Sequence, residues 1–163
     1  MRQSSRAETF DLPSETSQVA ETREIRAGET GLAFAAMREL RTHSASEDEF
    51  VRRIDEVQRP EGYRLVGAFE DGEENAVAVA GFRLGNNLAW GHFLYVDDLI
   101  TREAYRSRGH AGALMDWLVD EARRLGCDQL HLDSGTQRHD AHRFYLDHSL
   151  VIPGFHFARD LRT

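Results

Sequence analysis

The sequence contains no lysine: all 20 of its Lys/Arg positions are arginine. Codon bias in a GC-rich bacterial genome explains this; avoidance of reactive amines is the other reading. Set against 28 acidic residues, the arginines leave a formal net charge of −8. That balance excludes general affinity for nucleic acid and weakly favours cationic partners. Cysteine occurs once, as Cys127, so no internal disulfide can form and a reducing cytoplasm is the expected compartment. Cys127 follows Gly126 at the start of an apolar strand, which suits an unreactive buried thiol better than a nucleophile. No apolar run approaches the roughly 18–20 residues of a membrane span, so no membrane partner is expected. The opening MRQSSRAETFDLPSETSQVAE lacks the apolar stretch of a secretory signal and reads as a flexible tail, 1–21. With only three prolines, no repeat and no linker, residues 22–163 form one domain.

Hydrophobic periodicity orders what remains. TREIRAG (22–28) alternates as a strand. ETGLAFAAMRELRTH (29–43) carries Leu32, Ala35, Ala36 and Leu40 on one helical face. SASEDEFVRRIDEVQR (44–59) predicts a second helix, with Ser46 as N-cap, Glu49 completing a capping box, and Phe50, Ile54 and Val57 facing inward. Strands follow at 63–70, 75–85 and 88–101, separated by turns at Asp71-Gly72 and Gly85-Asn86-Asn87 that predict antiparallel hairpins. A helix from the stretch 104–126, a strand at 127–135, a helix at 139–150 and a closing strand at 153–161 complete the order βααβββαβαβ. The fold class is α+β, a central mixed, mostly antiparallel sheet flanked by helices.

The stretch AYRSRGHAGALMDWLVDEARRLG changes character halfway. Ala111, Leu114, Met115, Leu118, Ala122 and Leu125 form a buried stripe, and Asp116, Asp120, Glu121, Arg123 and Arg124 face outward. Its start, Arg106-Ser107-Arg108-Gly109-His110-Ala111-Gly112, combines small residues with positive charge at a helix N-terminus. Free backbone N–H groups and the helix dipole make such an end an anion site, and Gly109, Ala111 and Gly112 let a phosphate approach the backbone. Arg106 and Arg108 add charge. The other reading is a surface turn with two solvated arginines. The stretch is neither GxxxxGK[ST] nor GxGxxG. It lies just past the C-terminal end of a strand, the edge where ligands of βαβ units bind.

Arg106-x-x-Gly109-x-Ala111 resembles the Q/R-x-x-G-x-G/A signature of the GCN5-related N-acetyltransferase (GNAT) superfamily. The preceding YVDDLIT looks like that family's fourth strand, AHRFY (141–145) resembles its A-x-x-F-Y helix, and the element order matches from residue 22 to 163. Arg138 stands where the family often has Asn, and Ser149-Leu150 where Gly-Phe is usual. YVDDL is similar, locally, to the acidic strand of polyamine (spermidine/spermine) acetyltransferases. The resemblance implies acetyl-CoA as cosubstrate, with its pyrophosphate on residues Arg106, Ser107, Arg108, Gly109, His110, Ala111 and Gly112. Its pantetheine arm would lie along the backbone of Leu99, Ile100 and Thr101, where N–H groups would also polarise the thioester carbonyl.

Acetyl transfer to an amine needs a neutral amine, a polarised carbonyl and a protonated leaving thiolate. A free alkyl amine has a pKa of about 10.4 and must lose a proton. Asp97 and Asp98 are placed to help, and strand alternation puts only one of them toward the cleft. The resemblance favours Asp97 as the base; the alternative is that both carboxylates bind a cationic substrate or cap the sheet end. Tyr145, a phenol with an ordinary pKa of about 10, is the implied acid for the departing sulfur, with a core tyrosine as the alternative. His43 and His156 are further candidates for the acceptor side. His139-x-x-His142 lacks a cysteine or carboxylate to complete a known spacing, so no metal is expected. The expected activity is N-acetylation of a primary amine, a small cationic one by the acidic charge, in a chain that is by family habit a homodimer. The alternatives are a protein or peptide acceptor, and a non-catalytic module that senses acyl-CoA.

Overall fold

Short polar turns force successive strands to become antiparallel neighbours, and the sheet grows from that meander. The structure, a computed structural model, describes residues 21–43 and 46–162. Its five strands lie side by side in chain order: β1 (Glu21–Ile25), β2 (Arg64–Phe69), β3 (Ala78–Asn87), β4 (Gly91–Thr101) and β5 (Gln129–Leu132). The first four pair antiparallel; β5 runs parallel to β4, and α3 (His110–Arg124) forms the crossover between them. Helices α1 (Phe34–Leu40) and α2 (Glu47–Arg53) join β1 to β2, and α4 (His139–Asp147) follows β5. This is the expected α+β architecture. The expected tail, 1–21, lies outside the described residues except for Glu21, which opens β1.

Alternation along β2 feeds two cores. Leu65 and Phe69 join Ile25, Met37 and Phe50 on the side covered by α1 and α2. Val66 and Ala68 point the other way and join Leu94, Leu114 and Leu118 beneath α3. Fully burying each large side chain contributes roughly 1.5–3 kcal/mol, so the sheet is clamped from both faces.

Four sequence expectations are corrected. The first predicted helix, 29–43, is a 3-10 turn at Thr30–Ala33 followed by the seven-residue α1. The second begins as expected, with the Ser46 hydroxyl accepting from the Glu49 N–H at 3.2 Å, but becomes a π-helix at Ile54–Gln58. The extra residue per turn rotates Val57 outward, where it is half exposed, while Phe50 and Ile54 stay buried. The Gly85-Asn86-Asn87 turn belongs to β3, and the chain reverses one step later. There the Asn87 carboxamide accepts from the N–H groups of Ala89 and Trp90 at 3.1 and 2.7 Å. Finally, 151–162 forms no strand. The edge available to it, β5, is only four residues long and offers few main-chain groups for a ladder.

Glu121 departs from the outward position its spacing suggested. It is buried, and it binds Arg64 at 2.7 Å and Arg124 at 2.7 Å. The bond to Arg124, reinforced by Arg64, holds its carboxyl at about 2, below the usual 4.5. A depressed carboxyl stabilises the fold at pH values above its unfolded pKa and loses that contribution as pH falls through the folded value. We expect Glu121→Gln to cost roughly 2–3 kcal/mol at pH 7. Chemical denaturation across pH should show the gap to wild type closing between about pH 4.5 and 2; a constant gap would contradict the assignment.

Candidate active site

A β-bulge in the middle of β4 decides what the sheet presents to solvent. Gly81 of β3 pairs with Asp98, but its neighbour Phe82 pairs with Val96, so Asp97 is the extra residue. Strict alternation would send Asp97 and Asp98 to opposite faces. The bulge breaks it, and both carboxylates line one cavity of about 470 Å³ with Tyr95, Tyr63, Met37, Arg41, His43, Phe50, Arg53, Ile54 and Gln58. The expectation that only one acid faces the cleft is therefore corrected.

Each carboxylate is braced by its own guanidinium. Asp98 Oδ1 accepts from Arg41 Nε at 2.8 Å, and Asp98 Oδ2 accepts from the Tyr63 hydroxyl at 2.7 Å. Asp97 Oδ2 accepts from Arg83 Nε at 2.6 Å, while the same guanidinium donates to Gln58 Oε1 at 2.8 Å. Tyr63 reaches Asp98 across Gly81, where a Cβ would overlap the phenol. Burial and the Asp98 charge push the Tyr63 phenol well above its ordinary value, so it stays a donor. Asp97 titrates above the usual carboxylate range because burial outweighs the pull of Arg83. The hydroxyl of Tyr95 is bound to Asp133, which His156 Nδ1 meets at 3.1 Å.

Beyond the bulge, β4 loses its neighbour. Pairing with β5 ends at Val96↔Leu132, and 97–101 keep β3 on one side only. The main-chain groups of Leu99 and Thr101 point to that open side with no strand to bond, whereas Ile100, in phase with the Arg102 N–H that donates to the Val77 carbonyl, bonds toward β3 and does not offer its backbone there. The chain then turns at Arg106–Gly109 into α3. Gly109 is the N-cap with φ 89°, carries no side-chain cap, and would have open space around a Cβ. Ser107 also lies at positive φ, 61°. First-turn N–H groups of a helix have no intrahelical acceptor, so those of Gly109, His110, Ala111 and Gly112 face outward uncapped.

The side chains of this turn divide. Arg106 Nε lies 3.5 Å from the Thr101 carbonyl, beside the open edge. Arg108 is paired with Glu70 at 3.2 Å, and the buried His110 ring meets the same Glu70 at 2.6 Å. His110 can therefore serve the outer face through its backbone alone. Tyr145 is buried on α4, and burial raises its phenol above the ordinary value. Its helix approaches the turn: His148 Nε2 lies 3.5 Å from where a Cβ on Gly112 would stand. The Cys127 thiol is pushed up by burial, as suits an unreactive cysteine. His139 and His142 are not part of any metal-ligating cluster among the described residues.

Of the sequence candidates, His43, Asp97 and Asp98 share the cavity, the open edge and the turn adjoin it in sequence, and His156 reaches it through Asp133 and Tyr95. Tyr63, Arg41, Arg53 and Arg83 were not singled out, because each sits on an ordinary helical or strand pattern. Arg83 holds the titration of Asp97 down against the larger effect of burial, and Arg83→Met should move its midpoint further up. Carboxyl-carbon NMR would read this, and an unmoved midpoint would contradict the pairing.

The pattern of the acetyltransferase (GNAT) family matches residues 30–148. An uncharacterised N-acetyltransferase of Bacillus subtilis, YhdJ, is 35% identical over 115 residues, 71% of this chain and 79% of its own length. An aminoalkylphosphonate N-acetyltransferase of Salmonella typhimurium is 30% identical over 66 residues, 40% of this chain and 43% of its own length. Among solved structures, the aminoglycoside N-acetyltransferase AAC(6')-Iy in complex with CoA superposes with a TM-score of 0.73. It covers 87% of this chain and 95% of that one at 14% identity, a likeness of fold. With the bulged acidic strand, the open edge and the uncapped turn in place, the matches identify this chain as a member of the acetyltransferase (GNAT) family.

Proposed function

We propose that this chain transfers the acetyl group of acetyl-CoA to a small primary amine by direct attack on the thioester. The observation that carries the reading is the juxtaposition on β4: two carboxylates in a cavity, then an edge without a strand, then an uncapped helix N-terminus. Among the sequence relatives, the aminoalkylphosphonate enzyme is named for an amine acceptor, which supports the same class here.

The residues fit the cosubstrate. The space above Gly109 and the uncapped N–H groups of 109–112 suit a pyrophosphate, with Arg106 beside them. The outward main-chain groups of Leu99 and Thr101 suit the amides of a pantetheine arm, and N–H groups there suit the thioester oxygen. Acetyl-CoA supplies the activated acyl carbon. Asp97, with its raised titration, accepts a proton from the incoming ammonium, directly or through water, and leaves a nucleophilic amine. As the C–N bond forms and the C–S bond breaks, the nitrogen gives up its second proton to water, Tyr145 donates its proton to the departing sulfur and regains one from water, and Asp97 releases its proton to solvent. Asp98, held by Arg41 and Tyr63, fixes the wall against which Asp97 works.

Thiol release from acetyl-CoA across a panel of amines, amino acids and peptides tests this. Tight CoA binding without turnover on any acceptor would favour a sensor instead. Tyr145→Phe should lower kcat tenfold or more with little change in CoA affinity. Gly109→Val, strained at its positive φ, should weaken CoA binding instead. An unchanged kcat in the first or unchanged affinity in the second would overturn that residue's role.

The homodimer has its support at the C-terminus. Val151, Ile152, Phe155, Phe157 and Leu161 are 71–90% exposed, and the outer edge of β5 has no neighbour among the described strands. A second copy offers each segment a matching edge, and closure by twofold symmetry satisfies both. Sedimentation should give a dimer, and truncation before Val151 a monomer; a monomeric full chain would contradict this.

A further inference from the structure

The acceptor cavity is not the acidic pocket that the net charge of the chain suggests. Two guanidinium groups line it, Arg41 and Arg53, against the carboxylates of Asp97 and Asp98, and Arg83 pairs with Asp97 from outside the lining. Arg41 and Arg83 are committed to Asp98 and Asp97. Arg53, exposed on the last turn of α2, lines the cavity with no hydrogen-bond or ion-pair partner among the described residues. Its acidic neighbour Asp55 is occupied by Arg59 at 2.8 Å and Thr30 at 2.6 Å.

The carboxylate oxygens show the complementary pattern. Both oxygens of Asp98 and Oδ2 of Asp97 already accept hydrogen bonds. Asp97 Oδ1 has no donor among the described residues, and it is the one place where an ammonium finds a carboxylate oxygen to itself. A polycation would therefore meet a single such oxygen and an unpaired guanidinium, which repels it. A molecule with one amine and one oxyanion matches both.

We propose that the acceptor is a small zwitterion, a primary amine whose chain also carries a carboxylate or phosphate. Asp97 receives the amine and Arg53 binds the oxyanion, with Arg53 acting as a specificity residue. This rests on the acetyl-transfer reading and narrows it from amines in general. A guanidinium offers two parallel N–H donors to an oxyanion, so the contact orients the acceptor as well as attracting it.

The test uses three acceptors of equal chain length: an α,ω-diamine, the ω-amino carboxylate and the ω-aminoalkyl phosphate. Turnover is followed by thiol release, and binding to the CoA-loaded protein by calorimetry. Wild type should favour the two oxyanion-bearing amines. Arg53→Gln should lower their kcat/KM and their affinity tenfold or more while leaving the diamine unimpaired or improved. Arg53→Glu should reverse the preference toward the diamine. Arg53 is exposed and unpaired, so neither change should perturb the fold, which a melting curve checks. Equal or better use of the diamine by wild type, or an equal effect of Arg53→Gln on all three, would overturn the inference. If no acceptor turned over but the zwitterions bound in an Arg53-dependent way, acetyl transfer would fall and the zwitterion site would stand. If none bound or turned over, the inference would be overturned with it.

Discussion

The site depends on one backbone irregularity, the bulge that makes Asp97 an extra residue opposite the Gly81/Phe82 step. Without it, alternation would bury one of the two acids against α3 and leave the cavity a single carboxylate. The pairing with β5 also ends at Val96, the residue before the bulge, where the four-residue β5 itself ends. The acidic wall and the open edge therefore adjoin at one point of β4. Gly81 is fitted to this arrangement, since any side chain there would displace Tyr63, whose hydroxyl fixes Asp98.

Two carboxylates on neighbouring residues repel each other, and the fold holds them by giving each a separate cation. Arg41 spans Asp98 Oδ1 and, at 3.2 Å, the carbonyl of Asp97; Arg83 spans Asp97 and Gln58. Bridging of this kind needs several N–H donors in a rigid fork, which arginine has and lysine lacks. The arrangement leaves Asp97 with one engaged and one open oxygen, and burial keeps its proton affinity above that of a surface carboxylate. That combination suits a group that takes a proton and passes it on.

Much of this was legible in the sequence. The small residues of RSRGHAG specified a helix start that no side chain caps, and the short turns specified the meander. VDD contains the two acids that the cavity brings together. What could not be read was anything that depends on one residue too many. A bulge leaves the same alternating letters on either side, and the π-helix at Ile54–Gln58 looks like a continuing α-helical stripe until Val57 turns outward. Phe155-x-Phe157 has a strand's pattern without a strand, because alternation encodes a face to be covered and not the edge that receives it. Long-range pairs such as Arg41–Asp98 and Arg83–Asp97 carry no local signal, since the partners stand on ordinary helix and strand positions.

Hydrogen exchange read by mass spectrometry, with and without saturating CoA, most directly tests the claim that the open edge of β4 and the uncapped turn form one binding surface. The account predicts slowed exchange in peptides covering 97–101 and 107–112, with β1 and β2 unchanged. Saturating CoA that left both segments exchanging at their free rates would contradict it.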